Sequence, residues 1–302
     1  MENDKIMRCI TTDGSIMAAA IDSGNLVHTA QCIHHTSPVA TAALGRLLTA
    51  SSMMGAMLKR KGATVTLKIN GGGPLGTVVA VADSQGNCRG YVDRPDLEMP
   101  LKPNGKLDVG GAVGTNGMLA VIRDQGEGDP YVGHIEIATG EIAEDVTAYY
   151  AKSEQIPTVC ALGVLLDKED HKVLLAGGLL IQALPGADDK ALERLEQNVA
   201  ALEPVTTMLA KGMTIEEICR KAIEGFEVEV LDTFDVGYAC PCSKERVERA
   251  LATLKLDELV ALANEEGMME AKCHYCGKSY EFTQKELEDF AKSLSEPSDK
   301  EG

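Results

Sequence analysis

The chain has no tryptophan and only four phenylalanines, and aromatic residues make up 4% of its 302 positions. Its core must therefore rest on Ala, Val, Leu, Ile and Met. The twelve methionines supply either packing volume or an adaptable apolar surface. Long hydrophobic runs are also missing. The best stretch, Val173 to Leu184, is interrupted by Gly177, Gly178 and Gln182 and is too short to span a bilayer. No signal-type apolar segment follows the charged start Met-Glu-Asn-Asp-Lys, so a reducing cytoplasm is the expected compartment. Basic charge is scarce: 29 Lys and Arg stand against 46 Asp and Glu, a formal net charge of −17. Such a chain repels DNA, RNA and anionic lipid in general, so neither nucleic acid nor membrane is an expected partner. The longest basic run, Lys59-Arg60-Lys61, falls at the predicted end of a helix, where cations complement the helix dipole.

Signals for an enzyme are equally thin. Gly71-Gly72-Gly73-Pro74-Leu75-Gly76 resembles a phosphate cradle, but lacks Gly-Lys-Ser/Thr and lies between two predicted strands with no helix after it. A turn or bulge in a sheet is the better reading. His34-His35 have no nearby Cys or carboxylate to complete a set, and a surface or satisfied-core role is expected of them. Asp13, Asp22, Asp83 and Asp93 flank turns without forming a carboxylate pair. Tyr149-Tyr150 point to different sides of a helix and suit packing with hydrogen bonding. The chain is read as not an enzyme.

What is present is a patterned globular sequence, 44% apolar and 25% charged, long enough for one large core or two domains and a small module. Residues 16–33 read as short strands around Asp22-Ser23-Gly24-Asn25. Ser37-Pro38 opens a helix with a capping side chain and proline in the first turn. Ala43, Leu47, Ala50, Met54 and Met57 give it one apolar face, and Gly62 ends it. Val65, Leu67 and Ile69 alternate with polar residues as a half-buried strand. Strands are predicted at 77–82 and 88–92, loops over 94–117, and a hairpin from 118–122 and 131–137. A helix over 141–155 precedes a second hairpin, 159–166 and 172–180, around Asp167-Lys168-Glu169-Asp170. Beyond it the period becomes helical, with Leu192, Leu195, Val199 and Leu202, then 205–211, then a capping box of Thr214 and Glu217. The segment 188–225 has no apolar centre of its own, so its helices must pack on something else. Val247, Leu251 and Leu254, then Leu259 and Leu262, continue at helical spacing. Thr283 and Glu286 cap a last helix with Leu287, Phe290 and Leu294.

The fold expected is of the α/β class, α+β type. A mainly antiparallel sheet domain with packed helices spans 1–182, and a helical linker spans 183–232. A small C-terminal domain spans 233–290, followed by an acidic tail, 291–302, expected to be disordered.

Nine cysteines in a chain of this length are not a secreted disulfide framework. Cys9, Cys32, Cys88, Cys160 and Cys219 are scattered and read as buried small residues without an assigned role. The other four form two pairs, Cys240-Pro-Cys242 and Cys273-His-Tyr-Cys276, with thirty residues between them. Four thiolates close a tetrahedral Zn²⁺ site and leave no position for substrate. Gly277 and Lys278 follow Cys276, and a glycine there lets the chain turn beneath the metal with its amides facing sulfur. One Zn per chain in the reduced state is the expected cofactor, held by Cys240, Cys242, Cys273 and Cys276. An iron–sulfur cluster and His274 as a competing ligand are the alternatives. Zn could simply fold a segment too small to hold itself together. It could also be a switch, because thiolates are the oxidisable form and loss of metal is loss of folding free energy. A zinc-stabilised docking module and a thiol–disulfide oxidoreductase are the rival functions.

The cysteine pattern resembles that of the bacterial redox-regulated chaperone family of heat shock protein 33, the 33 kDa chaperonins. Ser153-Glu154-Gln155-Ile156-Pro157-Thr158 after Tyr149-Tyr150, and Ala176-Gly177-Gly178 leading to Gln182-Ala183-Leu184-Pro185-Gly186-Ala187, extend the resemblance over essentially the whole chain. The resemblance implies an ATP-independent holdase, inactive while Zn is bound. Oxidation would form disulfides within each pair, Cys240–Cys242 and Cys273–Cys276. Zn would leave, the module and part of the linker would unfold, and the active form would be a homodimer. Its partners would be unfolding client proteins and, on return to reducing conditions, ATP-dependent chaperones.

Overall fold

The computed structural model describes residues 3–251, 254 and 268–295. The chain divides into two compact units, Met1–Ala239 and Cys240–Gly302.

The first unit holds two five-stranded sheets in which every neighbouring pair is antiparallel. The second sheet is built from β3 (Thr64–Asn70), β4 (Val78–Asp83), β5 (Cys88–Val92), β6 (Met118–Asp124) and β7 (Tyr131–Glu136), in the order β5-β4-β3-β6-β7. The first sheet takes β1 (Asp4–Thr11), β2 (Ile16–Asp22), β8 (Thr158–Leu166), β9 (Val173–Ala183) and β10 (Val228–Val236), in the order β10-β1-β2-β9-β8. The mixed α/β class with a mainly antiparallel N-terminal portion is the expected one.

The helices depart from expectation in ways that tertiary contacts explain. Residues after Asp22 were expected to form a second strand, but Gly24–His34 is a helix, α1. Its first amides are capped from elsewhere: the Asp4 carboxylate accepts from Asn25 N at 3.0 Å and Leu26 N at 2.6 Å. A helix α2 (Pro38–Ala56) starts where predicted, with Ser37 Oγ accepting from Ala40 N. It stops before the basic triplet rather than at Gly62, whose φ of +83° serves the turn into β3. Nor does it show one apolar face. It is buried nearly all round, packing on both sheets, and its small residues permit that approach. A Cβ on Gly45 would stand 2.6 Å from Val27 Cγ1 and 2.9 Å from Val164 Cγ2. Thr49 and Ser51 return their hydroxyls to the Gly45 and Leu48 carbonyls, so these two buried hydroxyls are paired.

The predicted loop region contains one short helix, α3 (Val109–Val113), capped by Asp108. The predicted helix over 141–155 is α4 (Ala143–Tyr149) followed by a π-turn, Tyr150–Glu154, and Gln155 closes it at φ +56° before Ile156-Pro157.

Three helices cover the outer face of the first sheet: α5 (Asp189–Ala201), α6 (Val205–Ala210) and α7 (Ile215–Ala222). Leu195, Met208, Leu209, Ile218 and Ala222 close over Met7, Ile16, Leu179 and Ile181. The missing centre of this segment is therefore supplied by the sheet. β10 had no counterpart in the sequence reading. Five of its nine residues are apolar, and it pairs along its length with β1, where Arg8 Nε donates to Asp232 Oδ1 at 2.9 Å.

The second unit contains α8 (Lys244–Leu251), a hairpin of β11 (Met268–Lys272) and β12 (Ser279–Thr283), and α9 (Gln284–Ser295). α9 extends past residue 290 into the stretch expected to be tail. Leu259, Leu262 and residues 296–302 lie outside the described residues.

Candidate metal centre

The centre is assembled from two turns of the second unit. Cys240 and Cys242 precede α8, whose first turn is capped by Ser243 Oγ accepting from Arg246 N at 3.3 Å. Cys273 follows β11 directly, and Cys276 lies in the turn to β12. Gly277 N donates to Cys273 O and Cys273 N to Lys278 O, each at 2.9 Å, which closes the turn. Gly277 has a φ of +71°, a conformation that strains a residue with a Cβ. The Lys278 amide then reaches the Cys276 sulfur, and the Cys242 amide reaches that of Cys240.

These turns bring the four sulfurs within 4.8 Å of one another. Cys240 Sγ lies 3.7 Å from Cys273 Sγ, and Cys242 Sγ 3.2 Å from Cys276 Sγ. A tetrahedron with metal–sulfur bonds of about 2.3 Å has edges of about 3.8 Å, so the donor set fits Zn²⁺ with little adjustment. All four are free thiols of intermediate exposure, and His274 does not join the cluster.

Sequence reasoning missed Tyr280. Its hydroxyl donates to Cys242 Sγ at 3.1 Å. Burial opposes ionisation of Cys242, but hydrogen bonds from Tyr280 and from the other three thiols outweigh it and hold this thiol down at about 7. At Cys240 burial dominates and raises the thiol. The signal for Tyr280 was its place four residues after Cys276, on the face of β12 that also carries the buried Phe282.

Among the described residues the unit's core is Met269, Phe282 and Leu287, with Val247, Leu251 and Tyr280 packed against it. The predicted capping box is present: Thr283 Oγ1 accepts from Glu286 N at 3.2 Å, and Glu286 Oε2 accepts from Thr283 N at 2.8 Å. Lys244 Nζ lies 2.8 Å from Glu286 Oε1 and 4.7 Å above the Phe282 ring.

The other singled-out residues are structural. Gly71 N and Gly73 N both donate to Val113 O, so the glycine run is spent on α3 and offers no phosphate cradle. His34 Nε2 sits 3.2 Å from the Tyr238 hydroxyl, and His35 ends α1 at φ +50°. Asp13, Asp22, Asp83 and Asp93 each accept amides of their own turns or of a neighbouring strand. Tyr149 donates to Glu154 Oε1 at 2.5 Å, and its ring meets that of Tyr150 edge-on at 5.6 Å. Cys9, Cys88 and Cys219 are buried as expected, and Cys160 is partly so. Cys32 is exposed, because it lies on the outer side of α1, one turn after His28. Among the described residues no helix is long and apolar enough to cross a membrane.

Comparison with known proteins bears on the same features. The family model described as Hsp33 protein matches residues 4–283. A 33 kDa chaperonin of Bacillus licheniformis is 45% identical over 285 residues, covering 94% of this chain and 98% of its own length. That of Clostridioides difficile is 44% identical over 291 residues, covering 96% and 99%. The crystal structure of the 33 kDa chaperonin (heat shock protein 33 homolog) of Thermotoga maritima superposes with a TM-score of 0.87 at 33% identity, over 97% of this chain and 99% of that one. With a family match across both units, and relatives this similar over nearly their whole length, the chain belongs to the Hsp33 family.

Proposed function

We propose that this chain is an ATP-independent holdase chaperone switched on by oxidation of its four-cysteine centre. Family identity supports a chaperone function that is not enzymatic. The observation that carries the switch is the convergence of Cys240, Cys242, Cys273 and Cys276 in a unit whose described residues include three buried apolar side chains.

Zn²⁺, when bound there, holds the sulfurs as thiolates and supplies roughly 10 kcal/mol or more of folding free energy. That is comparable to the whole stability of a domain. The partly exposed sulfurs are open to peroxide. Each pair gives up two electrons, a sulfur–sulfur bond forms, and the peroxide oxygens leave as water. The pairing taken is that implied by the family, Cys240–Cys242 and Cys273–Cys276. The short sulfur distances, Cys240–Cys273 and Cys242–Cys276, run across these pairs, and peptide mapping of the oxidised protein tells the two pairings apart. Disulfides are no longer thiolate ligands, and the unit loses the free energy that folded it.

The client surface follows from the first unit. α5, α6 and α7 cover an apolar sheet face with their own apolar sides. Loosening of this segment exposes both at once, and such surfaces bind other nonpolar chains. Active protein is proposed to be a homodimer that releases clients to ATP-dependent chaperones in a reducing cytoplasm.

The test follows Zn release and light scattering together. Reduced protein is treated with peroxide at elevated temperature and added to a chemically unfolded, aggregation-prone protein. One Zn lost per chain with aggregation suppressed only after oxidation supports the switch. Zn loss without any gain in protection would reject it and leave the metal as a folding aid only.

A further inference from the structure

Two cysteines outside the metal centre meet across the first unit. β1 alternates: Ile6 and Arg8 face α2, while Met7 and Cys9 face the helix layer of α5, α6 and α7. α7 lays Ile218, Cys219 and Ala222 on that same face. Cys9 and Cys219, 210 positions apart in sequence, are both fully buried in that one apolar cluster, where α7 packs directly on β1, and each thiol is the other's polar neighbour. The other cysteines of the unit have different neighbours. Cys88 Sγ faces Leu48 O at 3.6 Å, and Cys32 Sγ faces His28 Nε2 at 3.6 Å.

We propose that Cys9 and Cys219 are a second oxidisable thiol pair, whose disulfide staples α7 to β1. The thiol contact joins two elements held to each other by side-chain packing alone. A covalent link there restrains α7, where no backbone ladder does. Either thiol of the pair can be the attacking sulfur, and the same disulfide forms. With hydrogen peroxide as oxidant, the Cys9 sulfur attacks one peroxide oxygen. The O–O bond breaks, Cys9 becomes a sulfenic acid, and the other oxygen leaves as water with the thiol proton. The Cys219 sulfur then attacks the Cys9 sulfur. The S–S bond forms, the S–O bond breaks, and the second oxygen departs as water with the remaining protons. Two thiols have lost two electrons, and the peroxide has gained them.

Burial sets the order of events. Both sulfurs are covered by α7, whereas the four C-terminal sulfurs are partly exposed. The Cys9–Cys219 bond therefore forms later, in molecules where α7 lifts slightly and closes again. A molecule whose α7 has fully left the sheet no longer holds the two sulfurs together and escapes the staple. The consequence for chaperoning rests on the function proposed above: a stapled chain keeps its helix layer on the sheet and is held back from full activation.

The full-length protein is oxidised with peroxide, its remaining thiols are alkylated, and its peptides are mapped by mass spectrometry without reduction. A Cys9–Cys219 linked peptide is expected, absent from both Cys9→Ala and Cys219→Ala. Oxidised wild type should also show slower proteolysis within 215–222 than either variant, by several-fold. Finding Cys9 and Cys219 separately alkylated once all four C-terminal thiols are consumed, including in dilute urea that loosens α7, would overturn the proposal. A linked peptide with unchanged proteolysis would overturn the staple. Protection of a client should rise more in Cys9→Ala than in wild type after prolonged oxidation. If neither protein gains protection while the linked peptide is present, it is the chaperone reading that fails, and not the thiol pair.

Discussion

Tyr280 shows how much a single hydroxyl can set at the centre. Its hydrogen bond to Cys242 Sγ disperses charge on that sulfur, and removing a partner of this kind typically weakens metal binding 10–100-fold. Tyr280→Phe keeps the ring and should weaken Zn binding by about tenfold, measured by competition with a chromogenic chelator. Unchanged affinity would mean that the hydroxyl leaves the metal site untouched. In the first unit, Glu141 bridges Lys102 Nζ at 2.5 Å and Arg46 Nη1 at 2.7 Å and accepts from Gly110 N at 3.3 Å. Burial raises its carboxyl, but the Lys102 and Arg46 contacts outweigh burial, and the net direction is downward from the ordinary 4.5. A depressed carboxylate adds stability above its unfolded value and loses it as pH falls. Glu141→Gln should therefore cost about 1–2 kcal/mol at pH 7, kept small because the groups stay partly solvated. The gap from wild type should narrow progressively below about pH 4.5 in urea titrations. A gap independent of pH would show that the charge is not what matters. The four cysteines were legible in the sequence because each pair is local and the pairs carry turn chemistry, with Ser243 and Gly277 beside them. Tyr280, the Asp4 cap and the Cys9–Cys219 contact were not, because each is made by a residue of one element meeting another.

Elements were read well where their signals are local. Ser37-Pro38 started α2, and the Thr214–Glu217 box opened α7, with Glu217 N donating to Thr214 Oγ1 at 3.2 Å. Thr214→Ala should cost about 1 kcal/mol. It should also speed hydrogen exchange in α7 relative to the sheet beneath. Equal exchange in the variant would mean the cap does not limit opening of that helix. Signals failed where the partner is distant. α1 takes its cap from β1, and β10 becomes a strand only beside β1. α2 looks one-sided in sequence because Ala, Gly and Ser count as weakly apolar, yet these are what two flanking sheets require. The glycine run at 71–73 carries its own prediction. A Cβ on Gly73 would stand 2.3 Å from Ala112 O and 2.5 Å from the Val113 carbonyl carbon. Backbone cannot yield as a side-chain tip can, so Gly73→Ala should cost about 2–3 kcal/mol. Gly14→Ala, with open space around it and only its φ of +70° to strain, should cost about 1 kcal/mol in the same urea assay. Equal losses at the two positions would refute the close approach of this loop to α3.

The division into two units decides how the whole molecule responds to loss of metal. The first unit has two extensive cores, one between the sheets and one beneath α5, α6 and α7, and neither depends on a ligand. Among the described residues the second has three buried apolar side chains, a two-stranded hairpin and two helices, little to set against the entropy of ordering them. A bound structural metal supplies about 10 kcal/mol or more, enough to reverse that balance. Chelation under reducing conditions should therefore unfold one unit and leave the other standing. Amide exchange reads this directly. The β11–β12 ladder, from Met268 opposite Thr283 to Lys272 opposite Ser279, should lose its protection. The β2–β9 ladder, from Ile16 opposite Ala183 to Asp22 opposite Gly177, should keep it. Restoring Zn²⁺ should return protection to β11 and β12. If they stay protected without metal, the small core suffices by itself, and sulfur oxidation could not act through unfolding of this unit. If the β2–β9 ladder opens with them, the two units unfold as one, and the switch would have no stable platform on which to display its client surface.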